Sequence, residues 1–161
     1  MVEEHLTWDD VDALIDHLLP QLRGGHDALL IITRGGIVPG GLLAEAMDIR
    51  TVLTASVQFE TGIQQTLAWP VFHQFPSDSL LVGKRVLVVD DVWSTGRTIT
   101  TVKGRVEAAG GVAELAVLHY KPEQSLFRDM APDYYAAVTE NWIVYPWEQR
   151  RGLELVPAGQ G

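Results

Sequence analysis

Two carboxylates stand side by side where a hydrophobic run ends. The stretch "VLVVDDVWSTGRT", residues 86–98, sets Asp90 beside Asp91 and follows them with Ser94, Thr95, Gly96, Arg97 and Thr98. The run before the acids reads as a buried strand. The segment "GRTITTVKGRVEAAGG" after them reads as a helix with Ile99, Val102, Val106 and Ala109 on one stripe, stopped by Gly110 and Gly111. A strand that surfaces into a glycine-containing turn and then a helix offers free backbone amides, here with the hydroxyls of Ser94, Thr95 and Thr98 beside them. That arrangement suits a phosphate. Two carboxylates would repel the same phosphate, so they must face something else, either sugar hydroxyls or a hydrated Mg2+. The stretch asks for a ligand carrying a phosphate, a diol and a divalent cation.

A second anion site follows an earlier strand. The apolar run "ALLIIT", residues 28–33, opens into "RGGIVPG", where Arg34 supplies one cation while Gly35 and Gly36 let backbone approach a ligand closely. Near the other end of the chain, Lys121 follows the run "VAELAVLHY" and Trp142 stands in "NWIVYPWE". An indole face and an amine suit a flat ring bearing a carbonyl oxygen. Glu148, in the same segment, is a lesser candidate for a second metal contact.

These groups need a scaffold that gathers strand ends. In "TWDDVDALIDHLLPQLRGG", Trp8, Val11, Leu14, Ile15, Leu18, Leu19 and Leu22 recur at helical spacing, with Thr7 as a cap, a bend at Pro20 and a stop at Gly24 and Gly25. Residues 28–33 follow as a strand, 41–48 as a helix and 51–59 as a second strand. Residues 60–79 lack a clear period and carry Gly62, Pro70 and Pro76, which fits a mobile excursion such as a hairpin serving as a lid. Strands are expected at 84–91 and 112–120. The expected fold class is α/β, a parallel twisted sheet flanked by helices with right-handed crossovers, and ligands in such sheets bind at the carboxyl ends of the strands. The aromatic tail, with Tyr134, Tyr135, Trp142, Tyr145 and Trp147, is expected to form a small C-terminal hood, mainly residues 121–150.

The chain has 161 residues, 47% of them apolar, enough for a substantial core in one domain over 1–161. It has no cysteine, so disulfides and thiolate metal sites are excluded, in keeping with a reducing cytosol. The first residues carry acids, and no apolar run approaches the roughly 20 residues of a membrane span, so a soluble, cytoplasmic protein without membrane contact is expected. With 12 Lys plus Arg against 21 Asp plus Glu, the formal charge of -9 argues against nucleic-acid partners. Any anionic ligand must be held by local groups.

The full stretch "VLVVDDVWSTGRT" resembles the signature of the type I phosphoribosyltransferases. "RGGIVPG" is similar to the pyrophosphate loop of their bacterial xanthine-guanine branch, and "YKP", "PDYYA" and "NWIVYPWE" resemble the hood of the bacterial and archaeal 6-oxopurine enzymes. The resemblance runs from about residue 28 to 148 and is weakest over 58–79. It implies the type I phosphoribosyltransferase fold, and transfer of 5-phosphoribosyl from phosphoribosyl pyrophosphate to hypoxanthine, guanine or xanthine in purine salvage, with pyrophosphate released. It implies Mg2+ as cofactor and a homo-oligomer, a dimer or more. By the same resemblance Asp90 and Asp91 hold the ribose hydroxyls and the metal, residues 94–98 hold the 5-phosphate, and Arg34, Gly35 and Gly36 hold the diphosphate behind a cis peptide at Thr33-Arg34. Lys121 would then read an exocyclic oxygen, Trp142 would stack on the base, and Ile143 would offer backbone groups to the purine edge.

The sequence departs from that pattern twice. Four residues after the first acid the family commonly carries an aspartate close to the purine N7, assigned the proton transfer; here Ser94 stands there. A hydroxyl can hydrogen-bond N7 but is a poor base near neutral pH, and base catalysis contributes about 10²- to 10⁴-fold. The family often places Ser-Tyr in the covering loop, where this chain has Gln58 and Phe59. Two other readings stay open: a phosphoribosyltransferase for another base, and a non-catalytic nucleotide-sensing regulator of the same fold. The acidic balance argues against the nucleic-acid surface that a transcriptional regulator needs.

Overall fold

The apolar runs of the sequence assemble into a central sheet with helices on both faces. The structure, a computed structural model, describes residues 2–61 and 68–149. Along the chain these form β1 (Glu3–His5), α1 (Trp8–Leu18), β2 (Ala28–Ile32), α2 (Ile37–Ala46), β3 (Val52–Glu60), β4 (Trp69–Gln74), β5 (Arg85–Trp93), α3 (Arg97–Ala108), β6 (Val112–Tyr120), β7 (Tyr134–Val138) and β8 (Trp142–Val144). Six strands make the central sheet in the order β4-β3-β2-β5-β6-β7, and β1 pairs with β8 in a separate two-stranded sheet. Neighbours from β3 through β7 are parallel, while β4 runs antiparallel to β3. No described helix is long and apolar enough to cross a membrane.

The core shows why β2 and β5 read as unbroken apolar runs. Leu29, Ile31, Leu87 and Val89 face Val11, Ile15 and Leu18 of α1 and Leu43 of α2. Leu30, Ile32, Val86 and Val88 face Ile99, Val102 and Val106 of α3. Alternate side chains of one strand thus enter opposite layers, both apolar, as in a sheet covered on two sides. Thr7 caps α1 through a reciprocal pair: Asp10 N donates to Thr7 Oγ1 at 3.2 Å, and Thr7 N donates to Asp10 Oδ2 at 2.8 Å. The expected bend at Pro20 is a short 3-10 turn, Leu19–Gln21.

Several elements differ from the sequence expectation. α2 begins four residues before residue 41, because a proline in the first turn needs no backbone N–H partner and Pro39 fits there. The sheet is parallel except for β4, the returning arm of the excursion; Pro70 is tolerated in it because β4 is an edge strand. The expected lid over 60–79 is described only in its arms, since residues 62–67 lie outside the described residues. β1 was not anticipated: Glu3, Glu4 and His5 are all exposed and carry no apolar signal. Within the tail, β7 joins the central sheet beside β6. The second layer at this end is therefore narrower than residues 121–150, built from β1, β8 and the 3-10 turn Pro146–Glu148.

One polar cluster ties the amino ends of β5, β6 and β7 together. Arg85 Nε donates to Glu114 Oε1 at 2.7 Å, Arg85 Nη1 donates to Gly24 O at 2.9 Å, and Tyr134 OH donates to Glu114 Oε2. Burial alone would raise the Glu114 pKa, but the bonds from Tyr134 and Arg85 outweigh it and hold the carboxyl below its usual range. A carboxylate with a lowered folded pKa stabilises above its unfolded value and loses that contribution as pH falls through the folded one. Glu114→Gln is expected to cost about 1–2 kcal/mol at neutral pH, or roughly 2–8 °C in Tm for a chain of this size. Thermal melts at neutral pH and below pH 4.5 check this, since the difference from wild type should shrink in acid.

Candidate active site

At its carboxyl end β5 outruns β2. The β2 register ends at Ile31 opposite Val89, while β6 continues beside β5 with Asp90 opposite Val117, Val92 opposite His119 and Trp93 opposite Tyr120. Asp90 and Asp91 therefore sit on a strand supported from one side and open on the other. Into that open side comes the loop after β2, entered by a cis peptide at Thr33-Arg34. A Cβ on Gly35 would fall 2.5 Å from Asp91 Oδ1, and one on Gly36 would fall 2.4 Å from Val89 O. Only glycines allow the Arg34 loop to lie this close to the acid strand.

Between these parts lies an open cavity of about 1010 Å³ whose lining includes Thr33, Arg34, Asp90, Asp91, Thr98 and Glu148. A smaller pocket of about 220 Å³ adjoins it, formed by the turn with Ser94, Thr95, Gly96 and Thr98, and shares Asp90 and Asp91. Gly96 has φ +83°, and a Cβ there would meet the Trp93 ring at 2.4 Å. Trp93 is buried as the floor of the turn, with Nε1 donating to Ser125 Oγ at 3.0 Å. First-turn amides of α3 have no carbonyl partner inside the helix and open onto this pocket. The guanidinium of Arg97 lies 4.1 Å from the centre of the Phe59 ring, so Arg97 rests on β3 and is not among the residues lining either cavity.

Asp90 and Asp91 are half-buried and make no ion pair with any described residue. Burial, reinforced by the neighbouring charge of Asp91, raises the Asp90 pKa well above the usual carboxylate range. Burial also raises that of Asp91, with the charge of Glu148 acting in the same direction. Local donors offset part of this: Asp91 N donates to Asp90 Oδ1 at 2.9 Å and Val92 N to Asp91 Oδ1 at 2.7 Å. A divalent cation fits such a pair, because it supplies the charge that the described residues lack. Among the described residues no group of three or more His, Cys, Asp or Glu side chains has the geometry to cage a metal. Two adjacent carboxylates fit Mg2+, which keeps waters and takes one or two carboxylates plus substrate oxygens.

Lys121, Trp142 and Ile143 come together beside the turn. Lys121 is 4% exposed, its backbone N donates to Trp93 O at 2.9 Å, and its Nζ lies 5.9 Å from the centre of the Trp142 ring. It makes no ion pair with a described residue. Trp142 is 58% exposed and presents an open face. Trp142 N donates to Val2 O, and Val144 O accepts from Leu6 N, so alternate residues of β8 turn to β1 and the backbone of Ile143 faces away from it. These three residues do not line the larger cavity. Trp147 and Gln149 do line it, unforeseen from the sequence, where nothing separates them from the other residues of the tail.

Residues 2–150 match the phosphoribosyl transferase domain family. A xanthine-guanine phosphoribosyltransferase from Cereibacter sphaeroides is 32% identical over 152 residues, covering 89% of this chain and 86% of that one. Among solved structures, a purine phosphoribosyltransferase from Pyrococcus horikoshii is 35% identical with a TM-score of 0.81, covering 93% of this chain and 97% of that one. A xanthine-guanine-hypoxanthine phosphoribosyltransferase from Helicobacter pylori, 18% identical with a TM-score of 0.74, shares the fold. The paired acids at the end of β5 and the glycine loop pressed against them thus occur in a chain that matches one family along nearly all of its described length, and this protein belongs to the phosphoribosyl transferase domain family.

Proposed function

We propose that this protein transfers the 5-phosphoribosyl group of phosphoribosyl pyrophosphate to a 6-oxopurine base, hypoxanthine, guanine or xanthine, and releases pyrophosphate, as in purine salvage. The observation that carries the reading is the convergence of an acid pair with no ion-pair partner among the described residues, the Ser94–Thr98 turn and the Arg34 loop on adjoining cavities. The purine-using relatives favour the base class. The same reading takes the protein as a homo-oligomer in the cytoplasm, as the sequence resemblance implies.

In this reading the 5-phosphate seats on residues 94–98, with first-turn amides and the hydroxyls of Ser94, Thr95 and Thr98 as donors. Arg34, Gly35 and Gly36 receive the diphosphate. Asp90 and Asp91 accept from the ribose hydroxyls. The same two carboxylates would hold Mg2+, which when bound would supply positive charge to the diphosphate. As the bond at ribose C1 stretches, positive charge grows on the sugar, and the two carboxylates stabilise it from a half-dry wall. Trp142 stacks on the incoming purine, Lys121 donates to its exocyclic oxygen, and the backbone of Ile143 meets its edge. Ser94 hydrogen-bonds N7 without acting as a strong base, so the barrier falls mainly through charge stabilisation at the sugar.

The direct test is incubation with Mg2+, phosphoribosyl pyrophosphate and each free base, with nucleotide and pyrophosphate measured. Nucleotide from an oxopurine is expected; tight binding of the sugar diphosphate without product from any base would make the protein a sensor. Asp90→Asn and Asp91→Asn are each expected to lower kcat by at least about 10²-fold. The same changes should raise Tm at neutral pH in the absence of Mg2+. A carboxyl with a raised folded pKa binds more protons folded than unfolded, so stability falls as pH rises from the unfolded value of 3.8 through the folded one, and the amide escapes that fall. Lys121→Met should raise KM for the base about 10-fold, the worth of one lost hydrogen bond to a charged donor, while KM for the sugar diphosphate stays close to wild type.

A further inference from the structure

Where β5 passes the end of β2, the peptide groups of Asp91 lose the strand that would have met them. Its N–H is met by the Asp90 carboxylate, and its carbonyl accepts from Tyr145 Oη at 3.2 Å. Buried backbone groups are rarely left unpaired, so the phenol takes the place of the missing strand. Tyr145 is 1% exposed and holds three further parts of the site. Its Oη lies 2.7 Å from His119 Nδ1, its backbone N donates to Glu148 Oε2 at 2.8 Å, and its ring stacks on Trp147 at 4.5 Å with planes 6° apart. Glu148 and Trp147 line the same cavity as Asp90 and Asp91, and the charge of Glu148 is felt at Asp91.

We propose that Tyr145 is a positioning residue which fixes the carboxylates of Asp91 and Glu148 relative to each other in the cavity they share, with His119 setting the direction of its hydroxyl. The role assumes the sugar-diphosphate reading of the site.

The phenol has one proton. Both of its bonds stand together only if His119 Nδ1–H donates to Oη and Oη–H donates to Asp91 O. Burial pushes the His119 pKa down to about 4, with the charge of Lys121 acting in the same direction, so the ring is neutral at working pH. Burial likewise raises that of the Tyr145 phenol, so the hydroxyl keeps its proton. A relay of two neutral donors holds the carbonyl of Asp91 without bringing a cation to the acid pair. Any metal or diol placed between Asp91 and Glu148 then meets a fixed separation, which matters because about 1 Å of misplacement can cost 10²-fold in rate.

Tyr145→Phe keeps the ring stack on Trp147 and removes only the hydroxyl. Expected are a kcat about 10-fold lower and a Kd for the magnesium complex of phosphoribosyl pyrophosphate about 5-fold higher by calorimetry. KM for the purine should be unchanged and circular dichroism native. His119→Leu should reproduce this pattern. His119→Asn, which keeps a donor near the place of Nδ1, should restore most of the activity, a rescue that a purely structural role would not give. A wild-type kcat and Kd in Tyr145→Phe would overturn the proposal. A crystal structure of ligand-free Tyr145→Phe provides a check independent of activity: shifted Asp91 and Glu148 carboxylates support the role, and unchanged ones overturn it. Failure of the wild-type protein to bind the sugar diphosphate would instead sink the functional reading, leaving that crystal structure to decide on Tyr145.

Discussion

Two adjacent carboxylates, half out of water and with no ion-pair partner among the described residues, set the terms for the rest of this molecule. Ionising such a pair is unfavourable, because burial and repulsion act in the same direction. The fold accepts the cost by fixing both acids on a central strand that the neighbouring β6 keeps rigid past the point where β2 stops. The strain is relieved only when something positive arrives. Stability is given up to keep two carboxylates whose ionised form a positive group would stabilise.

Close approach is the second device. Loop and strand meet at Gly35 and Gly36 with no room for a methyl group, and the turn after the acids closes over Trp93 at Gly96 in the same manner. The loop and the turn thereby line two adjoining cavities, and the acids are shared between them. The amino ends of the same strands are secured by Arg85, Glu114 and Tyr134, so the layer is anchored at one end and committed to ligand at the other.

Much of this was legible in the sequence because each part left a local signature. The apolar run before Asp90, the small residues after it and the stripe on α3 are short-range patterns, and they fixed β5, the turn and α3. What escaped was decided by tertiary partners. β1 is three exposed polar residues that become a strand only because β8 offers an edge. β7 left the hood for the central sheet because β6 had a free edge beside Tyr134 and Tyr135. Tyr145 was unreadable as part of the site for a similar reason, since its partner is a backbone carbonyl and no residue type announces that. The pairing of Lys121 with Trp142 was visible through family resemblance and not through periodicity, whereas the burial of Lys121 left no mark in the sequence.

A diphosphate drifting toward this protein meets a chain of its own sign, with a formal charge of -9, and finds Arg34 in the lining of the cleft. At distances beyond the Debye length, about 8 Å at physiological salt, repulsion is screened; inside it, the approach is uphill until the local amides and the arginine take over. Adding salt therefore quickens encounter even as it loosens the bound state, the reverse of an enzyme whose global field steers its ligand inward.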